Sequence, residues 1–175
     1  IYPVGSYSIR SIFTDPANYE VTRINGTLNV GKKDLIVTMG SPVYYFTEGQ
    51  PVPVFSSTTD PAGVVSNDLY TIRNSNNAIV SANNLTAGVY SVFRNINSTN
   101  LVDFNSYNII GTPSALYVNP SGGNTKAIRP VLVCIEPLEN PVDGLTFRAR
   151  YAYENLNKTI IYVPLGEENQ IILSP

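Results

Sequence analysis

The chain contains no histidine and no tryptophan, and only one cysteine and one methionine in 175 residues. Without histidine there is no Ser-His-Asp triad, no Cys-His dyad and no ordinary zinc site. The side chain that normally changes charge between about pH 5 and 8 is also missing. A lone cysteine permits neither an internal disulfide nor a thiolate metal cluster. It sits in the apolar run Val131–Ile135, so Cys134 reads as a buried, inert thiol. Neither phosphate-cradling glycine motif occurs, G-x-x-x-x-G-K-S/T or G-x-G-x-x-G. No catalytic residue, metal or cofactor is expected.

Charge is scarce as well. Charged residues make up 14% of the chain, against roughly 25% in typical soluble domains. Net charge is −2, and the four lysines and seven arginines are scattered, with Lys32-Lys33 the one adjacent basic pair. That is no footprint for nucleic acid. No apolar run approaches the roughly 18 residues of a membrane span, so none is expected here. Paired carboxylates are the remaining catalytic option, since glycoside hydrolysis needs two. Glu136 and Glu139 flank Pro137, and Glu167-Glu168 follows Gly166, so both pairs read as loops. Asp and Asn are plentiful, yet no spacing resembles a calcium-binding loop.

What fills the space is neutral and polar. Asn, Ser, Thr and Tyr together supply 61 of the 175 residues. Such a surface has little long-range self-repulsion and permits close association with copies of itself or with a neutral ligand. The composition suits an exported, extracellular protein. The start at Ile1 is read as the product of leader cleavage.

Short runs rich in Val, Ile, Tyr, Phe and Thr recur along the chain, the signature of strands. Expected strands are 7–13, 19–24, 27–30, 35–39, 43–46, 52–55, 69–73, 78–82, 89–94, 107–110, 115–118, 128–135, 145–153, 159–163 and 170–173. In 145–153 the alternation is clean. Leu145, Phe147, Ala149, Tyr151 and Tyr153 face one way, and Thr146, Arg148, Arg150 and Ala152 the other. Asp15-Pro-Ala-Asn18 and Asp60-Pro-Ala-Gly63 read as turns, and Asn25-Gly26 as a two-residue hairpin turn. No window carries helical periodicity, and 13 Pro and 12 Gly leave little room for a helix. The expected class is all-β: an antiparallel sandwich of jelly-roll type, or an Ig-like version of it. Residues 1–13 form an N-terminal strand and 14–175 a single sandwich domain. The 119–124 loop is the best internal candidate for a boundary.

Four N-x-S/T sequons occur, at Asn25, Asn84, Asn97 and Asn157. The composition alone produces about three by chance, so their number says little. Position says more. Asn84, Asn97 and Asn157 lie in polar, loop-like segments where an N-linked glycan can project, and at least two of them are expected to carry one. At Asn25 the tight Asn-Gly turn competes.

The first thirteen residues are apolar from the start, where most domains have a polar end. Ile1, Tyr2, Val4, Tyr7 and Ile9 gain nothing in water. Two readings follow. The segment is an ordinary first strand of its own sheet, or it is a donor strand completing the open sheet of a neighbouring copy. The donor reading places residues 1 to about 12 on a neighbour and not on their own domain. Head-to-tail exchange of that kind does not close and yields a filament. Pro3 and Gly5 suit an extended arm better than a central strand.

With these features the chain resembles the extracellular thread-like filament subunits of thermophilic archaea, which assemble by donor-strand exchange. The shared features are the apolar N-terminus, short Tyr- and Asn-rich β-runs, low charge, absence of His and Trp, and scattered sequons. The chain lacks the long apolar N-terminal helix of type IV pilins. The resemblance implies a β-sandwich subunit, N-glycosylation, cell-surface location and a role in adhesion or biofilm. A viral jelly-roll capsid or spike protein has similar composition, and so does a carbohydrate-binding or adhesin module.

Overall fold

In this computed structural model the residues described are 2–12, 17–18, 20–142 and 144–166. They are nearly all β, the class expected from the sequence. The strands are β1 (Gly5–Ile9), β2 (Gly26–Val30), β3 (Lys33–Met39), β4 (Val43–Thr47), β5 (Ser57–Asp60) and β6 (Tyr70–Arg73). They continue with β7 (Ile79–Val80), β8 (Gly88–Arg94), β9 (Tyr107–Gly111), β10 (Ser114–Asn119), β11 (Arg129–Val142) and β12 (Leu145–Glu154). Helical turns are confined to two 3-10 segments, Ala82–Asn84 and Phe104–Ser106, among the described residues.

The chain divides into two compact units, each visited several times. One comprises Ile1–Gly40, Phe55–Tyr70 and Arg94–Pro113; the other comprises Ser41–Val54, Thr71–Phe93 and Ser114–Pro175. The 119–124 loop lies within the second unit and divides nothing.

In the first unit β3 is the centre of a three-stranded sheet, antiparallel to β5 and parallel to β9. Its burial alternates although its apolar residues are consecutive. Leu35 and Val37 are buried, while Ile36 on the opposite face is 47% exposed. Gly111 of β9 sits opposite Val37, and a Cβ there would meet the Val37 Cβ at 3.0 Å. Gly40 is tighter still: its N–H bonds to the Ser56 carbonyl at 2.8 Å, and an added Cβ would fall 2.1 Å from the Ser56 hydroxyl. A glycine at each point is what lets the two backbones approach. Within this unit Arg94, whose side chain is 6% exposed, pairs with Asp68 at 2.5 Å. The same guanidinium donates to Ser57 Oγ at 3.0 Å. The 95–101 loop folds around buried Asn100, which donates to the Asn95 carbonyl at 2.7 Å and accepts from the Asn97 N–H at 2.9 Å.

The second unit is built on a five-stranded sheet in the order β4-β10-β8-β6-β7. β10 is its most buried strand, with Ser114, Leu116 and Val118 at 0–1% exposure on one face. It runs parallel to β4 and antiparallel to β8. Val92 of β8 and Ile72 of β6 extend the buried layer. Two parallel pairings, β3 with β9 and β4 with β10, therefore sit inside a fold whose expected pairings were antiparallel. Parallel partners lie far apart in sequence, where turn signals give no warning of them.

β11 and β12 form a separate two-stranded ribbon. Its register pairs Pro130 with Tyr153, Leu132 with Tyr151, Ile135 with Ala149 and Pro137 with Phe147. A register shift between Leu132 and Cys134 keeps these residues in phase. One face of the ribbon is therefore apolar from Pro130 to Pro137 and across from it, before a second register shift between Pro137 and Val142. The other carries Cys134, Glu136, Arg148 and Arg150. The alternation read from 145–153 is the alternation observed.

Other local expectations differ from the structure. Asn25-Gly26 is not a hairpin turn, because β2 pairs with β1 and Gly26 lies opposite Ile9. Residues 20–24, 52–55 and 159–163 form no regular strand, and 170–173 lies outside the described residues. β5, with the sequence Ser-Thr-Thr-Asp, was not expected: it has no apolar residue to signal it. The turn after β5 is present, with Gly63 at φ +75°. The Asp15-Pro16 turn falls outside the described residues.

Truncating the buried layer should be costly and truncating its exposed counterpart should not. Leu116→Ala is expected to lower unfolding free energy by about 2–5 kcal/mol, and Ile36→Ala by less than about 1 kcal/mol. Urea unfolding of the two variants beside the parent measures both.

Candidate functional site

Four places carry the residues singled out from the sequence: the N-terminal arm, the sequons, the acidic pairs and the cysteine.

In the arm, β1 pairs antiparallel with β2, placing Tyr7 opposite Leu28 and Ile9 opposite Gly26. Residues 5–9 thus find their ladder within their own chain. This runs against the expectation that they pair only with a neighbour. The pairing leaves the arm poorly covered. Tyr2 is 64%, Ile9 54%, Val4 39% and Leu28 39% exposed. Local contacts stiffen it: the Tyr7 hydroxyl donates to the Pro3 carbonyl at 2.7 Å, and the Tyr2 and Tyr7 rings meet edge to face at 5.1 Å. β1 and β2 form a sheet of their own, joined to no third strand among the described residues. Ile1 lies outside the described residues.

The sequons fall into different environments. Asn25 is exposed in irregular backbone before β2, and Asn84 is exposed at the end of a 3-10 turn. Asn97 is half-buried. Its Oδ1 accepts from the Thr99 N–H at 2.9 Å and from the Thr99 hydroxyl at 2.5 Å, and its Nδ2 donates to Asn95 Oδ1 at 3.4 Å. Asn157 is the most committed. Its Nδ2 donates to the Lys126 carbonyl at 2.7 Å and to Asn155 Oδ1 at 2.9 Å. Its Oδ1 accepts from the Lys126 N–H at 2.7 Å. The amide of Asn157 therefore acts as a strand residue does, exchanging both bonds with one backbone unit. Asn119 repeats the device on Tyr162, with both bonds at 2.9 Å. The Tyr162 ring then stacks on Tyr117 at 4.9 Å and packs against Tyr45 at 5.0 Å. Sequence reading missed this stack. The signal available was Tyr45 and Tyr117 in two apolar runs, but nothing local makes those strands neighbours. A cleft of about 580 Å³ beside Asn157 is lined by Ala87, Pro120, Lys126, Leu156 and Lys158, among others.

Glu136 and Glu139 lie within β11, not in a loop, because the strand continues through Pro137 to Val142. Glu136 Oε1 meets Arg150 Nε at 3.2 Å. The Cys134 thiol points at the same carboxylate, 3.5 Å away. Cys134 is half-exposed on the charged face of the ribbon, not buried among apolar neighbours. Partial desolvation pushes the thiol up, and its hydrogen bond to Glu136 and that residue's charge push it further, while Arg150 pulls it down. Glu167 and Glu168 lie outside the described residues. Among the described residues no group of three or more His, Cys, Asp or Glu could hold a metal ion. No helix among them is long and apolar enough to cross a membrane.

Two outcomes follow from this geometry. An N-glycan replaces a hydrogen on Nδ2, so it must break one of the two bonds that Asn157 donates. Native material should therefore carry glycan at Asn84 more fully than at Asn157, by peptide mass mapping. The raised thiol pKa leaves less thiolate at pH 8, so Cys134 should alkylate more slowly than a free thiol there. Glu136→Gln removes the charge holding the proton, lowers the pKa and should speed alkylation several-fold; a pH–rate profile of both proteins reads the shift. Compared with protein-family models, with curated proteins and with solved structures, the chain matches none.

Proposed function

We propose that this chain is a structural subunit of an extracellular filament, joined to copies of itself by β-strand addition through its N-terminal arm and serving adhesion or biofilm. The observation that carries this reading is the β1–β2 arm: two strands, apolar side chains in water, and no third strand beside them among the described residues. A two-stranded hairpin is marginal in water and gains stability from a further strand or layer. Its outer edges are rows of unpaired N–H and C=O groups, which template pairing with another chain. A neighbour's strand supplies those bonds. It also covers apolar side chains worth on the order of 5–10 kcal/mol before ordering costs.

The wider surface supports the same reading. Among the described residues, eight apolar side chains are buried and 26 large apolar or aromatic ones are exposed, a ratio that suits a component of an assembly better than a lone molecule. Low charge removes the repulsion that would keep copies apart.

The pairing of β1 within its own chain bears on how the arm acts. A lone donor strand must first leave β2; the β1–β2 pair can instead dock as one piece. The same pairing favours a second reading, a capsid or spike subunit or an adhesin module, in which the arm belongs to its own sheet. Negative-stain microscopy of native material separates them. Thin filaments that are lost on deleting residues 1–12, and restored by the matching peptide, are the expected result. Unchanged polymerisation of the truncated chain, or closed particles, would overturn the filament reading.

A further inference from the structure

We propose that the apolar face of the β11–β12 ribbon stacks on the same face of a second copy, forming an isologous contact independent of the N-terminal arm. The face presents Leu132, Ile135, Leu145, Phe147, Tyr151 and Tyr153, which are 47–64% exposed. Their solvent-exposed surface amounts to roughly 700 Å² per copy, close to the about 800 Å² each partner contributes to a stable interface. No polar group interrupts it from Pro130 to Pro137 along β11, because the register shift at Leu132/Cys134 carries the intervening odd residue without flipping the pattern. The polar residues collect on the reverse face, where Glu136 contacts both Arg150 and Cys134.

Edge pairing does not solve the problem this face poses. Adding a strand to the ribbon satisfies backbone groups and leaves the apolar side chains in water. β11 is also a poor edge, since Pro130, Pro137 and Pro141 lack the N–H a neighbouring strand requires. Only a second layer covers the face. A copy of the same ribbon fits as that layer because the face is self-complementary. Ala149 makes a low point flanked by Phe147, Tyr151 and cross-strand Ile135. With a two-fold axis midway between Ala149 and Phe147, Phe147 of each copy enters the other's low point. The small net charge of the chain opposes none of this. A lipid surface is less suited, because the cations Arg148 and Arg150 lie on the reverse face and would not reach headgroups beside a buried apolar face.

The test uses the full-length chain with Cys134→Ser as background. Ala149→Cys places a thiol at the centre of the apolar face, and Ala152→Cys places one on the reverse face. A bismaleimide spanning about 10 Å, the spacing of stacked sheets, should link Ala149→Cys protein into covalent dimers and leave Ala152→Cys protein largely unlinked. Adding Leu132→Asp and Phe147→Asp should abolish the linkage, with a circular dichroism spectrum and unfolding midpoint near those of the parent confirming that the sheets persist. The same linkage should survive deletion of residues 1–12, which separates this contact from the filament reading. Absence of Ala149→Cys dimers at 100 µM protein, chosen as roughly tenfold above a weak micromolar Kd, would overturn the proposal. Equal linkage at both positions, or protection of the Ala149→Cys thiol only by phosphatidylcholine–phosphatidylglycerol vesicles, would overturn it too.

Discussion

The second unit depends on the backbone pairing of β10. Its three inward residues are nearly without solvent contact, it pairs on both sides, and each of its ends secures a further segment. At the start, the Ser114 hydroxyl donates to the Ser41 carbonyl and the Ala115 N–H to the Pro42 carbonyl, which fixes where β4 begins. At the end, the Asn119 amide holds Tyr162. A strand buried on one face and paired on two edges has one workable register, because a slip of one residue would expose Leu116 and Val118 and bury Tyr117 and Asn119.

Asparagine does much of the work that charge does elsewhere. Asn119 and Asn157 each substitute a side-chain amide for a missing backbone partner, and Asn100 knits a loop from a buried position. An amide has the donor–acceptor pair of the peptide unit and no net charge, so its burial costs less than that of an ion. The abundance of Asn is thus partly structural. Segment 155–164 can follow the sheet without being a regular strand, because side chains supply what a ladder would.

Legibility followed the range of the signal. The amphipathic alternation of β12 was visible because it depends only on neighbours two residues apart, and β3, β8 and β10 were visible as short runs rich in apolar and aromatic residues. Pairing was not visible. β1 meets β2 across a long connection, so the Asn25-Gly26 turn signal misled. β3 and β4 meet β9 and β10 in parallel, with some seventy intervening residues in each case. β5 was missed for want of apolar residues, and β11 ran on through Pro137 because a strand at an edge tolerates a missing donor. Cys134 was misplaced for a related reason. An apolar run suggests burial, yet in a ribbon every second residue faces away, and the register shift put this one among charges. Of the features bearing on function, the exposed arm residues were legible as a segment, but their partner was not.

One thiol per chain sets a valence. Cys134 lies on the accessible side of its ribbon, so oxidation can join copies, but each copy offers a single point of attachment. Covalent growth by disulfide must therefore stop at two. In a longer assembly the disulfide joins copies in pairs at most, and contacts of another kind must link one pair to the next.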